Sequence, residues 1–228
     1  MFFFPSRGAG PISVRPRRPR RPYLCRMSRK RLFYVGFFSI LFLGFVAALA
    51  IAVPDFFKNR LPPVSEVQPF SFINQDGRTV TEKDIAGKVT AVNFFFTTCK
   101  SVCPKMNNNL KPIYEAFKGE KDFLLLSHTS DPGRDSAATL KRYADSMGVN
   151  TQQWMFLTGR KDSLYKAARL SYKIDDPNNS VANIDDDFLH TQFVALVDRD
   201  GKVLHIYDGL KTSELKEMEA EIRKLLKK

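Results

Sequence analysis

The chain has 228 residues, 43% of them hydrophobic, and a formal net charge of +12, which is sufficient for one sizeable folded domain with appendages. Ten Lys and Arg residues and no acidic residue fall within residues 1–31, which leaves 26 basic against 24 acidic residues in the rest of the chain. A nucleic-acid-binding domain is expected to carry its basic excess on the folded part, so this distribution argues against nucleic acid as a partner.

The N-terminal 53 residues predict a disordered basic segment followed by a membrane anchor. Residues 1–31 are rich in Arg and Pro and are not expected to fold. Residues 32–53 contain no charged residue, and a helix of that length spans the roughly 30 Å hydrocarbon core at about 1.5 Å per residue. By the positive-inside rule, the basic cluster predicts a cytoplasmic N-terminus and a domain on the periplasmic or extracytoplasmic side.

A cleaved signal peptide is the alternative to this anchor, because Ala48-Leu49-Ala50 resembles a cleavage site. The apolar run is longer than a signal-peptide core of about 7–15 residues, which favours an uncleaved transmembrane helix. Met27 begins the stretch Met-Ser-Arg-Lys-Arg, and our hypothesis is that translation starts there. Cys25 would in any case lie across the membrane from the other two cysteines, so we do not expect it to pair with them.

The remaining sequence predicts a linker at residues 54–68 and one α/β domain at residues 69–228. An early hairpin is followed by short apolar runs that alternate with helix-forming segments. Strands are predicted at 89–97, 122–130 and 154–159. A helix is expected after the strand at 89–97, another at 135–147 and a third after the strand at 154–159. An acidic loop at 175–187, hairpin strands at 191–198 and 202–208, and a closing amphipathic helix complete the predicted elements. This order is that of a thioredoxin-like fold with an antiparallel edge.

Cys99 and Cys103 lie between the first buried strand and its helix, with Pro104 directly after them. The N-terminus of a helix favours thiolates, which are both the nucleophiles of disulfide exchange and the ligands of soft metals. The C-x3-C spacing is one residue longer than the C-x-x-C redox motif, and it allows both sulfurs to approach one point. We interpret the pair as lying at a solvent-facing turn, where two purely structural cysteines would be unusual. The pair alone leaves the redox and metal interpretations open.

A metal site needs a third ligand, which the sequence offers among its three histidines. His205 lies inside an outer strand and is interpreted as a surface or packing histidine, whereas His128 is interpreted as hydrogen-bonded in the loop after its strand. His190 begins the TQFVALVD strand, where thioredoxin-like enzymes carry a cis proline that faces the cysteine turn. The set of Cys99, Cys103 and His190 suits copper, and zinc would accept the same ligands plus water.

Four stretches of the chain carry a resemblance to a known family: FFFTTCKSVCPKM, SHTSDPGRDSAATLKRYADSMG, WMFLTG and DFLHTQFVALVDRDGKV. From about residue 66 to its C-terminus the chain resembles the Sco/SenC family of membrane-anchored, thioredoxin-like copper proteins. The resemblance implies that Cys99, Cys103 and His190 bind one copper ion. It also implies a metallochaperone that matures the dinuclear copper centre of cytochrome c oxidase, either by delivering copper or by reducing the cysteines of that centre. The implied partners are the copper-bearing oxidase subunit, a copper donor protein and the membrane.

The resemblance also bears on two other parts of the chain. The Asp-Pro-x-Arg-Asp pattern of the family is interpreted as a structural or partner-facing turn, and it matches Asp131, Pro132, Arg134 and Asp135. Many relatives have Asp directly before the ligand histidine, where this chain has Leu189. An outer-shell hydrogen bond to the imidazole is therefore expected from elsewhere, for example from Asp185–Asp187. The acidic loop could also attract a basic patch on a partner.

A membrane-anchored thiol–disulfide oxidoreductase is the alternative function, with one of Cys99 and Cys103 attacking a client disulfide and the other resolving the intermediate. A copper chaperone is not an enzyme in the strict sense, so the chain would be an enzyme only if it acts as a thiol–disulfide oxidoreductase. A peroxidase-like or redox-sensing role has no separate support in the sequence. His190 discriminates between the two main functions, because a copper site needs it and a reductase does not.

Overall fold

The computed structural model describes residues 28–52, 62–175 and 189–227. The chain divides into two compact units, Met1–Asn59 and Arg60–Lys228. In the first unit, helix α1 (Arg29–Ala52) covers nearly all of the apolar segment predicted at 32–53. It is long and apolar enough to cross a membrane, and its large apolar side chains from Leu32 to Phe45 are exposed. A helix that is apolar all round requires an apolar environment, which is consistent with an anchor.

The described part of the second unit is built on one eight-stranded sheet with the order β1-β8-β7-β4-β5-β6-β2-β3. The strands are β1 (Ser65–Glu66), β2 (Ser71–Asn74), β3 (Thr79–Thr81), β4 (Val89–Phe95), β5 (Phe123–Thr129), β6 (Trp154–Thr158), β7 (Phe193–Val197) and β8 (Lys202–Asp208). Strands β4, β5 and β6 are parallel, and β7 pairs antiparallel with both β4 and β8. The predicted thioredoxin-like architecture with an antiparallel edge is therefore confirmed.

Apart from a short helix directly after β3, which was not predicted, the helices described in this unit follow the strands as predicted. They are α2 (Glu82–Ile85), α3 (Val102–Ala116), α4 (Ala137–Met147), α5 (Lys161–Lys166), which continues as a π-helical turn (Ala167–Ser171), and α6 (Thr212–Leu226). The Ser136 hydroxyl caps α4, and Gly148 ends it with a left-handed φ of 67°, a conformation that glycine adopts without steric cost. The predicted apolar face of α6 is buried through Leu215, Met218 and Ile222.

The sheet separates two hydrophobic clusters because successive side chains of a strand point to opposite faces. In β4 and β5 the odd-numbered positions contribute to the cluster under α3, α4 and α6, for example Phe95 and Leu125. Even-numbered positions contribute to the second cluster, for example Phe94 and Leu126. Cys103 belongs to the first cluster. The odd-numbered side chains of β4 and β5 therefore lie on the same side of the sheet as Cys103.

Several element boundaries differ from the prediction. Strand β4 ends at Phe95 rather than at residue 97, because Thr97 bonds the buried carboxylate of Asp135 instead of continuing the ladder. Strand β7 begins at Phe193 rather than at residue 191. Strand β1 lies within the segment predicted as a linker and pairs with β8. Of the predicted acidic loop at 175–187, only Asp175 lies in the described residues, where it forms a 2.5 Å ion pair with the buried Arg169.

The interpretation of His128 as a hydrogen-bonded loop histidine is wrong. His128 lies inside β5 and is fully buried in the second cluster, on the side of the sheet opposite to α3. Its ring stacks on Phe94 at 4.9 Å between centroids and also contacts Phe72 and Tyr172. Neither ring nitrogen has a hydrogen-bond partner among the described residues. Position 128 is even-numbered, so the ring points to the face of the sheet that carries the second cluster and packs among its aromatic side chains.

Candidate metal centre

The two cysteines lie where β4 passes into α3. Cys99 is partly exposed in the connecting loop, whereas Cys103 is the second residue of α3 and is buried in the first hydrophobic cluster. The backbone N–H of Cys103 donates to Cys99 Sγ at 3.4 Å, so the C-x3-C spacing places the first sulfur over the N-terminus of the helix. The prediction of a solvent-facing turn is correct for Cys99 and wrong for Cys103. Both cysteines are free thiols.

The environment separates the pKa values of the two thiols. Desolvation acts to raise the pKa of Cys99, but hydrogen bonds from Cys103 and Ser101 outweigh it, and the net pKa is lowered. Burial, followed by the hydrogen bond to Cys99, raises the pKa of Cys103 to about 12. Cys99 is therefore the more readily formed thiolate and the better nucleophile of the pair.

This asymmetry predicts the order in which the thiols react. At neutral pH, iodoacetamide should label Cys99 of the reduced chain and leave Cys103 almost unlabelled, because the thiolate is the reactive form. Mass spectrometry of tryptic peptides after a short pulse measures the two adducts. Cys103 in the Cys99→Ser variant should react at least about tenfold more slowly than Cys99 in the Cys103→Ser variant. Equal labelling of both cysteines in the wild-type chain would contradict the asymmetry.

The segment that carries His190 is fixed by its neighbour. Leu189 is buried at 2% exposure, and its backbone N–H donates to Tyr165 Oη at 3.1 Å. The Tyr165 hydroxyl in turn donates to the carbonyl of Ser130, directly after β5, at 3.0 Å. On the other side, the Thr191 hydroxyl donates to the carbonyl of Ile174 at 2.6 Å. The histidine therefore lies on a short segment that is anchored on both sides.

A pocket of about 250 Å³ brings the three predicted ligands together at this edge of the sheet. Cys99, Cys103 and His190 all line it, and the exposed imidazole packs edge-on against Phe96 at 5.8 Å between ring centroids. Among the described residues, no three metal-binding side chains are already close enough to hold an ion together. The three side chains therefore share one pocket, but coordination would require them to move closer together.

The other predicted residues lie away from this pocket. His205 is partly exposed on β8, and its Nδ1 is 2.7 Å from Glu221 Oε2, as expected for a surface or packing histidine. Asp185–Asp187, the expected source of an outer-shell hydrogen bond, lies outside the described residues. Sequence reasoning missed Tyr165, because no local motif distinguishes a tyrosine of α5 whose hydroxyl contacts a segment 24 residues away.

Comparison with known proteins identifies the family and the fold of this chain. The SCO1/SenC family model matches residues 59–227. A SCO1 protein homolog of Bacillus subtilis is 31% identical over 162 residues, which cover 69% of this chain and 81% of the homolog. The structure of BsSco, a member of the Sco family of cytochrome c oxidase assembly proteins with a disulfide switch, matches with a TM-score of 0.61 and 29% identity, over 73% of this chain and 97% of that one.

A second solved structure, Bradyrhizobium japonicum ScoI with copper bound, matches with a TM-score of 0.55 and 27% identity, over 71% of this chain and 99% of that one. The family match includes β4, the cysteine loop and the segment that carries His190, together with the rest of the sheet. Because the family model covers most of the sequence, the chain belongs to the SCO1/SenC family.

Proposed function

We propose that the chain is a copper metallochaperone that assists assembly of the dinuclear copper centre of cytochrome c oxidase. Its copper cargo would be held by Cys99, Cys103 and His190. The observation that carries this proposal is that these three side chains line one pocket at the edge of the sheet. Copper as the metal is supported by the copper-bound Bradyrhizobium japonicum ScoI, and the oxidase as the client is supported by BsSco, a member of the Sco family of cytochrome c oxidase assembly proteins.

The donor set fits copper chemically. Soft thiolates select Cu(I), and an imidazole extends the set to one that also suits Cu(II). Metal binding requires deprotonated cysteines, and the raised pKa of Cys103 means that its thiol must release a proton as the metal arrives. Cys99, with its lowered pKa, is the ligand that is more readily available for the first contact.

The N-terminal helix would hold this domain at a membrane. Helix α1 meets the length and composition requirements for a span, and the ten basic residues before the apolar segment favour a cytoplasmic N-terminus. The metal pocket would then face the extracytoplasmic side. The proposed partners there are the copper-bearing subunit of the oxidase and a copper donor protein.

Thiol–disulfide reduction is the second candidate function, and the different pKa values of the two cysteines favour it. The Cys99 thiolate would attack one sulfur of a client disulfide, forming a mixed disulfide and releasing the other client sulfur as a thiolate. Cys103, after losing its proton, would attack Cys99 Sγ and release the second client thiolate. The client would then be a dithiol, and this chain would carry a Cys99–Cys103 disulfide.

One experiment tests the metal function and distinguishes it from reduction. The full chain in detergent, loaded with Cu(I), is mixed with the soluble copper-bearing domain of an oxidase subunit in its dithiol form. The metal-free reduced chain is mixed with the disulfide form of the same domain. We expect one copper ion per chain and its transfer to the dithiol domain. If the chain bound no copper tightly but reduced the disulfide domain, the reductase function would replace the proposal.

A further inference from the structure

The buried carboxylate of Asp135 contacts the loop that carries Cys99. Asp135 is 0% exposed, and its Oδ2 accepts hydrogen bonds from the Thr97 backbone N–H at 3.1 Å and from the Thr129 hydroxyl at 2.6 Å. Its Oδ1 accepts a further hydrogen bond from the Thr97 hydroxyl. Two of these three donors belong to Thr97, which lies two residues before Cys99.

This carboxylate is not part of an ion pair in the described ranges. The nearby Arg134 side chain is 74% exposed and lies 3.8 Å from Asp131 rather than against Asp135. Burying a carboxylate is costly unless donors compensate for the lost water, so the three hydrogen bonds are what make this position tolerable. Charge-assisted hydrogen bonds are roughly twice as strong as neutral ones. The loop is therefore attached to the end of β5 and the start of α4 by strong, directional contacts.

The contact lies where the regular structure of β4 ends. Strand β4 pairs with β5 as far as Phe95 and Thr129, and the Asp135 carboxylate bonds Thr129 at the end of β5 and Thr97, two residues beyond the end of β4. Cys99 then follows in the loop, with its N–H bonded to the carbonyl of Phe96. Since the other sulfur is fixed in α3, the Thr97 end of the loop is the part whose position decides the separation of the two sulfurs.

We propose that Asp135 is a positioning residue for the cysteine pair, which acts through Thr97 to hold the loop in the dithiol shape. This role rests on the proposed function, because the dithiol shape of the loop is the one in which both sulfurs face the metal pocket. A disulfide requires an S–S distance of about 2.05 Å and Cβ atoms about 3.5–4.5 Å apart. The two sulfurs of the free thiols must therefore come closer when the pair is oxidised, and the attachment of Thr97 to Asp135 opposes any movement of the loop that accompanies this approach.

A matched pair of variants tests this role. Thr97→Val and Thr129→Val each remove one hydroxyl donor from the same carboxylate, but only Thr97 belongs to the cysteine loop. In glutathione buffers the metal-free full chain interconverts between the dithiol and the Cys99–Cys103 disulfide. Glutathione supplies the two electrons and two protons that reduce the disulfide. Thr97→Val should shift this equilibrium about fivefold towards the disulfide, whereas Thr129→Val should stay within about twofold of the wild type.

Two further measurements make the interpretation unambiguous. Urea unfolding should show that reduced Thr129→Val loses at least as much stability as reduced Thr97→Val, because the Thr129 hydroxyl also accepts a hydrogen bond from the Asp131 backbone N–H at 2.9 Å. A general loss of stability would therefore not produce the expected order of redox shifts. In the Cu(II)-loaded chain, the sulfur-to-copper absorption band should change in Thr97→Val and not in Thr129→Val. Equal shifts of the redox equilibrium in both variants, or no shift in either, would overturn the positioning role. Failure of the wild-type chain to bind copper would instead overturn the proposed function and leave the redox comparison intact.

Discussion

Replacing His190 with alanine should weaken Cu(II) binding by the full chain more than about a hundredfold. Apparent binding free energies of about 10–16 kcal/mol for four-ligand structural zinc sites correspond to about 3 kcal/mol per ligand, and 1.4 kcal/mol is about tenfold in affinity. The Cu(I) affinity should fall less, because two soft thiolates can hold Cu(I) without an imidazole. Competition titrations with chelators for each oxidation state measure both effects.

His205→Ala is the matched control for this prediction. His205 is a partly exposed histidine of the same unit, but its ring bonds Glu221 on α6 and does not line the cysteine pocket. The His205→Ala variant should bind Cu(I) and Cu(II) with wild-type affinity. If His190→Ala also kept wild-type Cu(II) affinity, the ligand set of the proposed function would be wrong.

The sheet could be predicted because its signals are local. The apolar runs of β4 and β5 are buried along their whole length, and such runs between helix-forming segments are typical of central parallel strands. The Arg199-Asp200-Gly201 turn predicts the β7–β8 hairpin, and Gly201 indeed adopts a φ of 79°. What could not be predicted are contacts between distant residues, such as the pairing of Ser65 with β8.

The same distinction applies to the site. The sulfur pair and the position of His190 follow from a motif and from the order of elements, so the sequence predicts which residues share the pocket. The roles of Asp135 and Tyr165 depend on hydrogen bonds across 38 and 24 residues, which no local pattern encodes. The burial of Cys103 was missed for another reason: the first turn of α3 lies on the core side of the sheet, although the loop before it is exposed.

His128 illustrates how a single strand position can determine stability. Burial lowers the pKa of its imidazole to about 3, against an ordinary value of 6.5. Between these two pH values the unfolded chain binds a proton that the folded chain does not, so the free energy of unfolding falls as the pH falls. The contribution is fully present above about pH 6.5 and is lost progressively towards pH 3. The loss amounts to on the order of 5 kcal/mol at 1.36 kcal/mol per pKa unit.

His128→Leu should therefore flatten the acid side of the stability profile between about pH 6.5 and pH 3. The substitution replaces two unpaired buried nitrogens by apolar atoms of similar bulk, so the chain should also gain about 1–3 kcal/mol at pH 7. Urea unfolding of the full chain in detergent at several pH values, followed by the fluorescence of Trp154, measures both effects. His205→Leu is the control and should keep the steep acid limb. A His128→Leu profile parallel to that of the wild type would mean that the acid sensitivity arises elsewhere, because leucine at this position cannot take up a proton in either state.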